Sequence, residues 1–228
     1  MTDSKPGGIR GFIRVAVPFV FVPALAVLGT LVFDERRHLL VSLGVTVLAL
    51  LLFWSGFERR QTGSRRMVVV AILTALSVVG RFIPVIKPIA AITILTAIYL
   101  GGEAGFLVGS LSAILSNFYF GQGPWTPFQM LAWGLVGLVA GFLATPLKKS
   151  RVALIVYGVA AGAGFSLIMD VWSVLWYRGY FDPSYYFVAV GTSLPHMLLY
   201  AAGNALFLWW LGAPVGHKLE RLHVRYGV

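Results

Sequence analysis

The sequence predicts an all-α polytopic membrane protein, and three observations carry that prediction. Its 228 residues are 58% hydrophobic and only 11% charged, with a mean hydropathy of +0.85. A water-facing surface cannot be built from so few polar groups, whereas lipid tolerates them as solvent. The charges are gathered into short knots, and the stretches between knots have the length of membrane-spanning helices.

A helix needs roughly 17–25 apolar residues to cross a hydrocarbon core of about 30 Å. Eight candidate spans meet or approach that length: 15–33, 39–57, 67–83, 88–100, 104–117, 128–147, 152–176 and 188–211. The fourth and fifth are short, and Gly101, Gly102 and Glu103 leave room only for a tight turn between them. They read as a bent hairpin that spans unevenly. Near the start, the basic Arg10, the apolar run and Ala24-Leu25-Ala26 imitate a secretory signal. The run continues unbroken to Phe33, which argues for an uncleaved first span.

With the N terminus placed inside, Lys5, Arg10, Arg14, Arg59, Arg60, Arg65, Arg66, Lys148, Lys149, Arg151, Lys218, Arg221 and Arg225 fall on the inner side. That is 13 of the 18 Lys and Arg; Arg36, Arg37, Arg81, Lys87 and Arg178 fall outside. The asymmetry predicts a multi-pass protein of a bacterial inner membrane with both termini cytoplasmic. The net charge of +10 is then a matter of orientation and anionic lipid, not of nucleic acid, for which no soluble groove exists. The absence of Cys removes disulfides and thiolate chemistry.

Small residues at spacing four form ridges along which helices in lipid approach closely. These are Gly101, Gly105, Gly109 and Ala113; Gly137 and Gly141; Gly158, Gly162 and Ser166; and Ala71 and Ala75. Two ridges run on into a polar residue on the same face, Asn117 after Ala113 and Asp170 after Ser166. An acid within a span is a functional candidate by default; the alternative for Asp170 is a structural ion pair with Arg81, Lys87 or Arg178. The outer connections are distinctive. Residues 81–88 are basic and proline-rich, 118–129 are uncharged and aromatic, and 172–187 carry Trp172, Trp176 and further aromatics. Together they suggest a lid over a small-molecule pocket, or in part an interfacial aromatic belt. Arg81, Asn117, Trp125, Gln129, Asp170, Trp172 and Trp176 are the candidate ligand-binding residues. His196, which follows Pro195, reads as a helix start.

No hydrolase, zinc-protease or nucleotide-loop motif is present, and the four His have no metal-ligand spacing. The sequence therefore predicts no catalysis, no cofactor and no metal, and a protein that cannot energise transport alone.

From Met67 to Leu211 the chain resembles the substrate-binding (S) components of energy-coupling factor transporters, the vitamin-uptake class of bacterial ABC systems. The resemblance rests on Ala71-Ile72-Leu73-Thr74-Ala75, on the six spans after Arg66, and most specifically on residues 117–134 with their Gly123-Pro124-Trp125-Thr126-Pro127-Phe128-Gln129 stretch. It implies a six-helix core, residues 67–228, that captures a vitamin on the outer side. It also implies that Ala71 and Ala75 dock on a membrane coupling (T) subunit driven by two cytoplasmic ATPases. Two features depart from the pattern: residues 1–66 add two transmembrane helices, and the Met-His start of the metal-ion members is absent. Residues 117–134 are most similar to members associated with cobalamin or corrinoid precursors. Two other classes remain open: a membrane enzyme acting on lipid with Asp170 and His196 as acid and base, and a scaffold subunit without ligand.

Overall fold

A computed structural model describes residues 8–32, 38–55 and 63–226. Lys5, Arg36, Arg37, Arg59 and Arg60, which entered the charge count, lie outside the described residues. The described chain is helical throughout: α1 (Gly8–Ala16), a π-helical turn (Val17–Phe21), α2 (Val22–Val32), α3 (His38–Ser55), α4 (Gly63–Gly80), α5 (Ile89–Leu100), α6 (Gly102–Phe120), α7 (Thr126–Phe142), α8 (Ala144–Lys149), α9 (Arg151–Arg178) and α10 (Pro183–Tyr226). The protein is thus an all-α polytopic membrane protein.

Each predicted span has a helical counterpart, and the differences have local causes. The first span is α1 and α2 joined through the π turn, where Pro18 has no N–H to donate to the preceding turn. The span expected over 128–147 stops at Phe142. Pro146 would have to donate to the carbonyl four residues back and cannot, so the chain bends into the short α8. The last helix is far longer than expected. Asp182 caps it by accepting from the backbone N–H of Ser184 and Tyr185, Pro183 occupies its first turn, and Pro195 lies inside it. His196 is therefore a mid-helix residue rather than the start of a helix.

The core is built around α5. Ten of its 12 residues are buried, and at about 18 Å it is too short to cross the hydrocarbon alone. It packs against α4, α6, α7 and α10. Gly101 alone joins it to α6 with φ of 103°, a conformation that costs glycine little. The α6–α7 contact is closer still: a Cβ on Gly137 would stand 2.4 Å from the backbone carbon of Gly105. Trp133, Phe106 and Phe128 fill the space beside this seam. Outward, Val68, Ile72, Leu76, Val152, Val156 and Leu198 are exposed, as a lipid-facing surface requires.

The N-terminal helices share this core. Val22, Ala26, Val45, Ala49 and Leu52 are buried within it, with α3 against α6 and α7, and α2 against α7 and α9. Arg14 pairs with Glu103 at 3.1 Å in the first turn of α6, where a carboxylate also faces the helix N terminus favourably. Arg66 donates to the Leu100 carbonyl at 2.5 Å and lies 5.2 Å from the Phe53 ring centre. Lys148 over Tyr99 and Arg151 bonded to the Trp209 carbonyl belong to the same end of the bundle. Arg81, Lys87 and Arg178 belong to the other. These seven basic residues thus fall at two opposite ends of the bundle.

Candidate functional site

The polar residues of the Arg81 end form two groups that meet at Gln129. The first begins at Arg81, just past α4. Its Nη1 donates to Asn117 Oδ1 and to Ser116 Oγ, each at 2.5 Å, and its guanidinium lies 4.8 Å from the Phe120 ring centre and 5.5 Å from that of Trp133. Asn117 is wholly buried; its Nδ2 donates to Thr126 Oγ1 at 2.8 Å and to Gln129 Oε1 at 2.9 Å. Thr126 in turn donates to Gln122 Oε1, and Gln122 donates to the Ile114 carbonyl. The uncharged connection after α6 is therefore pinned by side chains. This arrangement satisfies the buried amide and the cation together.

The second group lines a cleft of about 210 Å³ where three helices converge. Gln129 comes from α7; Phe165, Ser166, Met169 and Asp170 from α9; Ser193, His196 and Tyr200 from α10. Asp170 is 6% exposed and accepts from Ser193 Oγ at 2.7 Å. The ion pair offered as its alternative is not formed: Arg178 pairs with Asp182 at 2.8 Å, and Arg81 is held by Asn117. Trp133 stacks on Phe165, Phe165 on Tyr200, and His196 lies against Tyr200, with ring centres 5.1, 5.1 and 4.8 Å apart. The column gives the cleft one rigid aromatic wall.

Of the seven candidate residues, Gln129 and Asp170 line the cleft, and Arg81 and Asn117 brace Gln129 from behind. Trp125, Trp172 and Trp176 form a ladder of their own, with centres 6.0 and 6.2 Å apart, and none of the three is a lining residue. Ser193, His196 and Tyr200 enter instead. Their spacing of i, i+3 and i+7 on one helix face was the available signal within the span read over 188–211; reading His196 as a helix start broke that face in two. Asp170 and His196 do share the cleft, which meets the geometric condition set for a lipid enzyme, although the hydrogen bond to Asp170 comes from Ser193. A larger space of about 590 Å³ adjoins the basic last turns of α10. Among the described residues its lining comes from that one helix, so it encloses no site.

Ala71 and Ala75 are exposed, on the face of α4 that also carries Met67, Val68, Ile72, Leu76 and Val79. They are not packed inside the bundle. Because α4 runs from Gly63 to Gly80, they sit mid-helix, Ala71 about 15 Å along the axis from Arg81. A family model described as "ECF transporter, substrate-specific component" matches residues 65–215, from the start of α4 into the last turns of α10. No curated protein and no solved structure matches the chain.

Proposed function

The chain belongs to the family of ECF transporter substrate-specific components, a multi-pass membrane protein family of transport, and from that premise we propose that the cleft between α7, α9 and α10 is where it captures a micronutrient. The observation that carries the reading is the convergence of Gln129, Asp170, Ser193 and Tyr200 in one aromatic-walled cleft at the end predicted to face outward. Such a site combines apolar contact with a few fixed polar groups, as small-molecule pockets do. Arg81, Asn117 and Gln129 act as one positioned unit, Asp170 orients the ligand, and Trp125, Trp172 and Trp176 guard the approach. The exposed Ala71 and Ala75 face meets the coupling subunit, which two ATPases drive. The N-terminal helices α1 to α3 act as an accessory unit packed on the six-helix core.

The experiment is to purify the protein and take the mass and absorption spectrum of what it carries. A tightly held vitamin supports the reading; lipid turnover without a ligand supports an enzyme, and neither supports a scaffold. The spectrum also tests the corrinoid resemblance of residues 117–134. A corrinoid exceeds the drug-sized ligands that occupy pockets of about 300–1,000 Å³, so it would enter only if the connection 121–127 moved aside. Gln129→Ala should weaken binding about 5- to 150-fold, the loss of about 1–3 kcal/mol for one well-placed buried hydrogen bond.

Orientation is tested separately. Single cysteines at Ser64, Ser150, Gln122 and Ser184 are informative because the protein has none of its own. An impermeant thiol reagent on intact cells should label Q122C and S184C but not S64C or S150C. Labelling of S64C would invert the scheme.

A further inference from the structure

Charge in the cleft is one-sided. Among its lining residues Asp170 is the only carboxylate, and no Lys or Arg is present. The cations of this end contribute no lining side chain: Arg81 is bonded to Asn117 and Ser116 and reaches the cleft only electrostatically, through the Tyr200 hydroxyl, Arg178 is paired with Asp182, and Lys87 lies against the Phe120 ring at 5.8 Å. Ser193 donates to Asp170 Oδ2, and among the described residues no donor reaches Oδ1. Oδ1 opens on the cleft, so in a membrane bundle this carboxylate favours a partner that brings an N–H to it. The ring column of Phe165, Tyr200 and His196 beside it favours a flat partner.

Resting on the capture reading above, we propose that the substrate is a compact, flat nitrogen heterocycle bearing an amino group or cationic nitrogen, which Asp170 grips through Oδ1. Size points the same way. A volume of about 210 Å³ lies below the range of about 300–1,000 Å³ typical for drug-sized ligands, which suits one or two small rings. Ser193 fixes the carboxylate rotamer, and Gln129, whose Oε1 is taken by Asn117, has its amide N–H groups left for a ring acceptor.

The test is equilibrium binding to the purified full chain with five probes: thiamine and its free aminopyrimidine alcohol as donor-bearing heterocycles, riboflavin as a neutral flat ring, biotin as an anion, and dicyanocobinamide as a corrinoid. Thiamine or the aminopyrimidine should bind most tightly of the five. Asp170→Asn preserves shape but removes the charge and should weaken that probe by at least about 10-fold. Ser193→Ala should weaken it less. If both donor-bearing probes fail to bind, or if Asp170→Asn binds them as well as the native protein does, the proposal is overturned. Tight binding of biotin or cobinamide also overturns it while leaving the capture function standing. A chain that folds, carries no ligand from cells and binds none of the five overturns both.

Discussion

Replacing Gly137 with Val is expected to abolish recovery of folded protein. The Cβ alone would lie 2.4 Å from the carbon and 2.6 Å from the oxygen of the Gly105 carbonyl, with Thr93 at 2.8 Å. The first two are backbone atoms of a packed helix, so no rotamer change relieves the contact and α6 and α7 must separate. Over-packing ordinarily costs about 1–3 kcal/mol, and a backbone clash at the tightest seam of the bundle belongs at or above the top of that range. Gly164→Ala is the control, because a Cβ there meets nothing within 4 Å. Monodisperse yield and thermal unfolding in detergent check both. If Gly137→Val behaves like Gly164→Ala, the α6–α7 seam is wrongly drawn.

The double substitution Ala71→Trp and Ala75→Trp should leave the bundle intact and abolish transport. Both positions are exposed on α4, so neither indole displaces a core residue. A partner helix that approaches over two methyl groups would be held away along the whole contact. Association with the coupling subunit should fall by at least about 100-fold, roughly 2.8 kcal/mol, and uptake with it. Ligand binding should be unchanged, since the cleft is formed by α7, α9 and α10. Copurification with the coupling subunit and binding on the isolated chain read the two properties separately. Loss of binding in the isolated variant would mean that the alanine pair serves the bundle itself.

The apolar helices were legible because apolar length is imposed by the bilayer and needs no tertiary information; among the described residues Gly11–Val32, Arg151–Arg178 and Pro183–Leu222 are long and apolar enough to cross a membrane. The π turn at Pro18 and the break at Pro146 were marked in the sequence, yet a proline in a membrane helix does not say by itself whether the helix ends. Pro146 breaks α7 from α8, while Pro195 and Pro214 are absorbed within α10. The true start of α10 depended on Asp182, whose carboxyl is held below the usual range by the Arg178 hydrogen bond and by the helix N–H groups it accepts from. Asn117, Gln129 and Asp170 were legible as polar residues at one end of a bundle. Trp125, Trp172 and Trp176 fall in a ladder beside the cleft and not in its lining, a distinction that composition does not make. Tyr200 and Ser193 stayed hidden until the face of α10 was fixed.

The most direct test of capture in this cleft is to compare what the native protein and Met169→Trp retain through purification with the coupling subunit. Met169 is partly buried and lines the cleft, so the larger indole fills the cavity without removing any hydrogen bond of the site. The native complex should hold a small molecule in near-stoichiometric amount. The variant should assemble with the coupling subunit and hold none. Equal retention of the same molecule by both, or an assembled native complex that never holds a ligand, would contradict the account.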